Sequence, residues 1–187
     1  MLKILSILLL LIDVDSSLII KCEYKKHDWK IIGSLYQCAV INEVSITLPE
    51  TFIENVTRIQ QTDMTENDVQ AFTAKYKNIN FIPYGLIESF PNLTAINIAS
   101  CHLKEIHQKD IQNITNLKVL KLKDNDIEMI EKDLFKFNPN WLYIKLKSNK
   151  IKEIHPAVFK NLKKLHELDI KGNICCDTEE AISEMDV

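Results

Sequence analysis

From residue 93 onward the apolar positions follow one arrangement four times over. Leu93, Leu117, Trp141 and Leu165 stand 24 residues apart, and the same spacing follows each of them. The first copy runs Leu93, Ile96, Ile98, Cys101, Leu103 and Ile106, and the second runs Leu117, Leu120, Leu122, Asn125, Ile127 and Ile130. Trp141, Ile144, Leu146, Asn149, Ile151 and Ile154 make the third; Leu165, Leu168, Ile170, Asn173 and Cys175 make the fourth. A fixed period of this length marks a repeat architecture, in which each unit buries its apolar face only against its neighbours. Alternation such as Ile96 and Ile98 predicts a short strand with one face inward. The register therefore predicts parallel strands at 95–99, 119–123, 143–147 and 167–171. After each strand the chain must turn, and its buried backbone groups need polar partners. Asn125, Asn149 and Asn173 fill that slot as a ladder, with Cys101 in the same slot of the first copy as a buried thiol.

The second half of each copy is periodic as well. Leu86-Ile87, Ile111, Leu134-Phe135 and Val158-Phe159 occupy equivalent places, and Phe90, Ile114 and Leu162 form a further column. Asn138 breaks that column, and Phe137 or Pro139 is expected to adjust the packing there. One period before Leu93, the residues Val69, Phe72, Ala74, Lys77, Ile79 and Ile82 keep the pattern only weakly, with a further strand expected near 56–59. The spacing L-x-x-L-x-L-x-x-N/C-x-L resembles that of leucine-rich repeat proteins. The resemblance implies an α/β solenoid, a right-handed horseshoe with its parallel sheet on the concave face. Residues 56–176 are expected to form it, degenerate over 56–92 and regular over 93–176.

Residues 17–55 read as an N-terminal cap. Cys22, Tyr24, Trp29, Ile31-Ile32, Tyr36, Cys38 and Val40 alternate around Gly33-Ser34 as a β-hairpin would. A Cys22–Cys38 bridge would pin that hairpin at the open edge of the solenoid, worth about 3 kcal/mol in the chain-entropy view, and would block strand addition there. The other end, Gly172-Asn173-Ile174-Cys175-Cys176, resembles the entry to the cysteine-rich C-terminal cap of extracellular leucine-rich repeat proteins. The acidic tail 177–187 holds no further cysteine, so an incomplete cap is the expectation. That leaves a truncated product, a Cys175–Cys176 bridge, or an oligomer formed through Cys175 or Cys176. Trp29, Tyr36-Gln37-Cys38-Ala39-Val40, Ile82-Pro83 and Phe90-Pro91-Asn92-Leu93 together resemble small secreted insect leucine-rich repeat proteins with an N-terminal cysteine hairpin cap. Relatives of that layout include receptor ectodomains and immune-recognition proteins, which implies a recognition role.

The first segment changes the picture of compartment. Met1-Leu2-Lys3 precedes an apolar run from Ile4 to Ile12, too short to span a bilayer, which reads as a signal peptide over 1–16. Secretion suits the five cysteines and the three sequons at Asn55, Asn92 and Asn113, and makes a glycoprotein the expectation.

Composition removes several function classes. With 46% apolar and 26% charged residues the chain is globular, and a net charge of −3 argues against a nucleic-acid binder. Three glycines leave little material for a phosphate-cradling loop. His107 and His155 fall in equivalent slots two periods apart with Glu131 between them, too far apart for a shared metal. Asp124 and Asp126 lack calcium-loop spacing. No catalytic constellation can be assembled, so the expectation is a non-enzyme without cofactor or metal.

What remains is a surface. Residues 117–176 carry 13 basic and 8 acidic side chains. Between the apolar strand positions lie three outward columns: Ala95, Val119, Tyr143 and Glu167; Asn97, Lys121, Lys145 and Asp169; Ala99, Lys123, Lys147 and Lys171. Lys121, Lys123, Tyr143, Lys145, Lys147 and Lys171 are thus expected to form a concave binding face for a protein or anionic macromolecule. The alternative is an extracellular-matrix or structural protein assembling through its ends.

Overall fold

Twelve strands, most of them short, follow one another along the described residues, and eight of them join in one sheet. They are β1 (Ser17–Asp28), β2 (Ser34–Val40), β3 (Ser45–Ile46), β4 (Phe52–Arg58), β5 (Ala71–Lys75), β6 (Asn78–Ile79), β7 (Ala95–Ala99), β8 (Val119–Lys121), β9 (Met129–Ile130), β10 (Tyr143–Lys145), β11 (Glu153–Ile154) and β12 (Glu167–Asp169). The computed structural model describes residues 17–59 and 63–176; the expected signal segment 1–16 and the acidic tail 177–187 lie outside them. The large sheet has the order β12-β10-β8-β7-β5-β2-β1-β4. Its repeat strands pair in parallel and in register, Ala95 with Val119, Val119 with Tyr143 and Tyr143 with Glu167, one period per strand. On the other side, β3 pairs with β6 and β9 with β11, and α1 (Leu86–Ser89) and α2 (Gln108–Ile111) supply single helical turns. The architecture is the leucine-rich repeat solenoid that the period implies.

A left-handed corner ends each repeat strand. Tyr76, Ser100, Asp124 and Ser148 have φ of 56°, 55°, 56° and 54°, and Gly172 has φ of 70°. These positions are again 24 residues apart. The ladder sits just beyond. Asn125 Oδ1 accepts from the backbone N–H of Cys101 and Leu103 at 3.0 and 3.1 Å, while its amide donates to the carbonyls of Ile98 and Leu122. Asn149 accepts from Ile127 N–H at 3.1 Å and donates to Leu122 and Leu146, both at 2.8 Å. Asn173 accepts from Ile151 N–H at 3.1 Å and donates to Leu146 and Ile170. Cys101 turns its buried thiol to the carbonyls of Ala99 and Ala74, and burial pushes its pKa up, away from reactivity.

Between sheet and return segments the core is continuous. Phe135 stacks on Phe159 with centroids 5.9 Å apart and meets Trp141 edge-on at 5.4 Å. The break in the return column is resolved differently from the expectation. Phe137 and Pro139 are exposed, whereas Asn138 itself is fully buried and donates to the carbonyls of Ile111 and Ile114. A hydrogen-bonded amide has replaced an apolar rung without moving its neighbours into the gap.

The cap joins the sheet rather than lying over its edge. β1 and β2 pair antiparallel, with Cys22 bridged to Cys38, and β2 continues the parallel ladder through Cys38 and Phe72 of β5. The strand expected near 56–59 belongs to β4. It returns past the hairpin to pair with β1, so it forms the outer edge and does not precede β5. Its sequence explains this: Ile53 alone is buried there, enough to cover an end but not to build a repeat. At the opposite end Cys175 and Cys176 are bridged to each other, which occupies both sulfurs.

Candidate interaction face

The concave columns can now be followed strand by strand. The first runs Gln37, Ala71, Ala95, Val119, Tyr143 and Glu167. Alternation places Ala95, Val119 and Tyr143 toward solvent, yet they are buried, with exposures of 0%, 1% and 7%. The cap hairpin is the cause. It extends past the ends of the repeat strands, pairing Leu35 with His27 and Ser34 with Asp28, and its tip folds back over the sheet. Trp29 and Leu35 pack with Ala71, Ala95, Val119 and Tyr143 in a second apolar cluster, separate from the main core, with Ile32 against it. Small residues at 71 and 95 leave room for the indole, which is 2% exposed.

The tip is held by local bonds. Trp29 N–H donates to Gly33 O at 2.9 Å, and Lys30 N–H donates to the Asp28 carboxylate at 2.8 Å. Lys30 and Gly33 both take positive φ, 57° and 78°, to make so tight a reversal. No periodic signal foretold this fold-over. The pair of alanines in an otherwise bulky column was its only trace in the sequence.

The six residues assigned to the face therefore divide. Lys121 lies with its ammonium 4.4 Å from the Trp29 ring centroid, a cation–π contact. Burial, and then the charges of Lys145, Lys30 and Lys75, hold its pKa below the ordinary lysine value. Tyr143 is covered. Lys145 pairs with Glu167 at 2.9 Å and lies 5.0 Å from the Tyr143 ring centroid. Lys123 has its own neighbour Asp124 at 3.2 Å. Lys147 and Lys171 have no carboxylate within 4.0 Å among the described residues, and Lys171 is exposed on the rim. Lys75, one period before Ala99 and paired with it, extends the same rim. The period could have found Lys75, but the degenerate repeat hid it.

Elsewhere the polar constellations are small. A groove of about 680 Å³ on the return side holds His107, whose Nδ1 lies 2.5 Å from Glu131 and Nε2 3.2 Å from Glu105. The hydrogen bond to Glu131 is the main reason its pKa is raised. Among the described residues no three His, Cys, Asp or Glu side chains converge as a metal site. Asn55 lies on the edge strand β4, and Asn92 and Asn113 lie outside the repeat strands; all three are exposed. The Asn92 amide donates to Asn67 O at 2.8 Å.

No helix among the described residues is long and apolar enough to cross a membrane. No curated protein matches this sequence. Residues 115–174 match the family described as leucine rich repeat. Among solved structures, the chain is similar to the LRIM1/APL1C complex, at 20% identity over 81% of this chain with a TM-score of 0.55. It is also similar to the APL1 leucine-rich repeat domain, at 19% identity over 81% of this chain with a TM-score of 0.51. The Toll–Spatzle complex, described as a hub in Drosophila development and innate immunity, matches at 20% identity over 60% of this chain with a TM-score of 0.50. The chain spans 31%, 43% and 16% of those three chains, respectively. Strand register, asparagine ladder and the family match over 115–174 agree, and on them this chain has the leucine-rich repeat fold.

Proposed function

We propose that this protein is a secreted, glycosylated recognition module that binds an acidic protein or other anionic macromolecule on the open, C-terminal part of its concave face. One observation carries the reading: Lys75, Lys123, Lys147 and Lys171 form a rim column that no cross-strand acid among the described residues neutralises. Strands about 4.8 Å apart bring such amines close enough for their potentials to add. The first apolar column is already occupied by Trp29, so the binding surface is the rim and the sheet beyond β8. Solved structures similar in fold are two-protein complexes, which agrees with a protein partner.

Retention on an anionic resin tests this at a pH where the whole chain is net negative. The variant Lys123→Glu/Lys145→Glu/Lys147→Glu should lose retention, and raised salt should release the parent, because exposed charges are screened beyond about 8 Å at physiological ionic strength. The control Lys132→Glu/Lys160→Glu/Lys163→Glu alters exposed lysines on the return side and should lose less. Equal losses would make retention a matter of net charge and remove the claim of the concave face.

A further inference from the structure

We infer that the cap tip and the sheet together form an oxyanion site, ringed by Lys30, Lys75 and Lys121 with Asn97 on its floor, that takes a sulfate or phosphate group. The inference rests on the concave face being a binding surface and adds a second place on it, between β5 and β8 at the cap tip, that shares only Lys75 with the rim column. Three cations come from three separate segments: the hairpin tip, the end of β5 and the end of β8. Thr73, Asn97 and Lys121 stand abreast in register, and Lys75 follows Thr73 by two residues. Thr73 and Lys121 are therefore about 10 Å apart across Asn97, a gap that lysine side chains readily span.

None of the three lysines has a carboxylate within 4.0 Å of its ammonium among the described residues. The nearby acids are engaged: Asp28 accepts from the Lys30 backbone, and Glu167 pairs with Lys145. His27, at the tip, meets the Trp29 ring edge-on at 6.0 Å. Lys121 is half-buried against Trp29, and the charges of Lys145, Lys30 and Lys75 oppose its own. Like charges gathered around a partly desolvated ammonium are unfavourable until an anion joins them. Donors without acceptors adjoin the cluster. Among the described residues the Asn97 amide has no partner, and Trp29 Nε1–H is buried without one. Thr73 already donates to Gln37 Oε1 at 3.2 Å.

The residue type selects the ligand. Arg58 is the only arginine in the chain, so the planar fork that grips a carboxylate in two places is missing from this face. Lysines are point charges approaching from several directions, which suits an anion with oxygens on every side.

Trp29 fluorescence reports occupancy, since the ring lies beside Lys121 while Trp141 is buried in the core. Sodium sulfate, sodium phosphate, a sulfated heparin hexasaccharide and its desulfated form would be titrated at constant ionic strength. Saturable quenching by the sulfated sugar or by either free ion, and none by the desulfated sugar, is the expected result. Tighter binding of the hexasaccharide than of free sulfate or phosphate would identify a glycan as the source. Equal affinity per anion would identify a small-ion site; both support the oxyanion chemistry. Lys30→Ala/Lys75→Ala should weaken binding by about tenfold or more, as expected for lost charge-assisted contacts. Lys147→Ala/Lys171→Ala should change it by less than about threefold. Unsaturable quenching, or equal losses from both double variants with unchanged circular dichroism, would overturn the site. Resin retention lost on rim reversal, with sulfate binding unaffected by Lys30→Ala/Lys75→Ala, would sink this inference and leave the proposed function standing. The opposite pattern would sink the broader reading instead.

Discussion

The asparagine ladder allows a prediction whose size follows from counting the groups left without partners. In Asn149→Leu, the carbonyls of Leu122 and Leu146 each keep one amide partner, from Asn125 and Asn173 respectively. The Ile127 N–H keeps none. One orphaned buried donor costs about 1–3 kcal/mol. In Asn125→Leu two donors are orphaned, those of Cys101 and Leu103, so the cost should reach about 2–6 kcal/mol. Asn138→Leu makes the contrast. The carbonyls of Ile111 and Ile114 already accept from the backbone N–H of Ile114 and Leu117, and Asn138 Oδ1 has no partner among the described residues. Replacing that amide by an apolar group of similar size should be neutral or stabilising. Urea unfolding followed by circular dichroism measures all three, with an unchanged m-value as the sign that only stability moved. Each kcal/mol should appear as about 2–4 °C in Tm for a chain of this size. An Asn149→Leu midpoint equal to the parent's, or an Asn125→Leu cost no larger than that of Asn149→Leu, would refute the reasoning.

Three further outcomes are expected. The raised pKa of His107, due first to Glu131 and then to Glu105, means that its protonated form stabilises the fold. That contribution is complete below the unfolded value near 6.5 and is lost as pH rises through the higher folded value, so Tm should fall over that window. Glu131→Gln should flatten the profile, and an unchanged profile would remove the pair from the account. Cys22→Ala/Cys38→Ala should lose about 3 kcal/mol by the loop-closure argument, measurable by the same urea unfolding, and full stability would show the hairpin held by packing alone. Expressed through a secretory route, the protein should drop in mass after enzymatic removal of N-glycans; no shift would mean that Asn55, Asn92 and Asn113 are not used.

Periodic features were legible in the sequence because each repeat solves the same packing problem. Leu120, Ile144 and Leu168 can be aligned without structure, and so can the ladder asparagines. At the ends the Cys22–Cys38 hairpin was legible from its cysteines and alternation, but the placement of its tip and of the following strand was not, since each end solves its problem once. The place of β4 beyond β1 depends on which strand covers the hairpin, a long-range choice with no local signature. The closure of the first concave column by Trp29 was hidden for the same reason. Alternation tells which side of a strand a residue takes, not what another segment lays across it. Lys121 and Tyr143 fall on the concave side by alternation, but nothing in their spacing tells that a tryptophan from the cap covers them.

The left-handed corners carry a consequence for how this protein can change. An L-residue there costs roughly 1–2 kcal/mol, less for Asp, whose short polar side chain tolerates the conformation. Gly172 already escapes that cost, whereas Tyr76, Ser100 and Ser148 do not. Tyr76 is 80% exposed, so little packing would be lost there on exchange for glycine or asparagine. The repeats thus hold a reserve of stability at corners that bond the rim through backbone, Ser100 N–H to Lys123 O and Ser148 N–H to Lys171 O, so exchanging the side chain leaves those bonds in place. Drawing on it would let the concave surface accept otherwise damaging substitutions while the corners keep the solenoid folded.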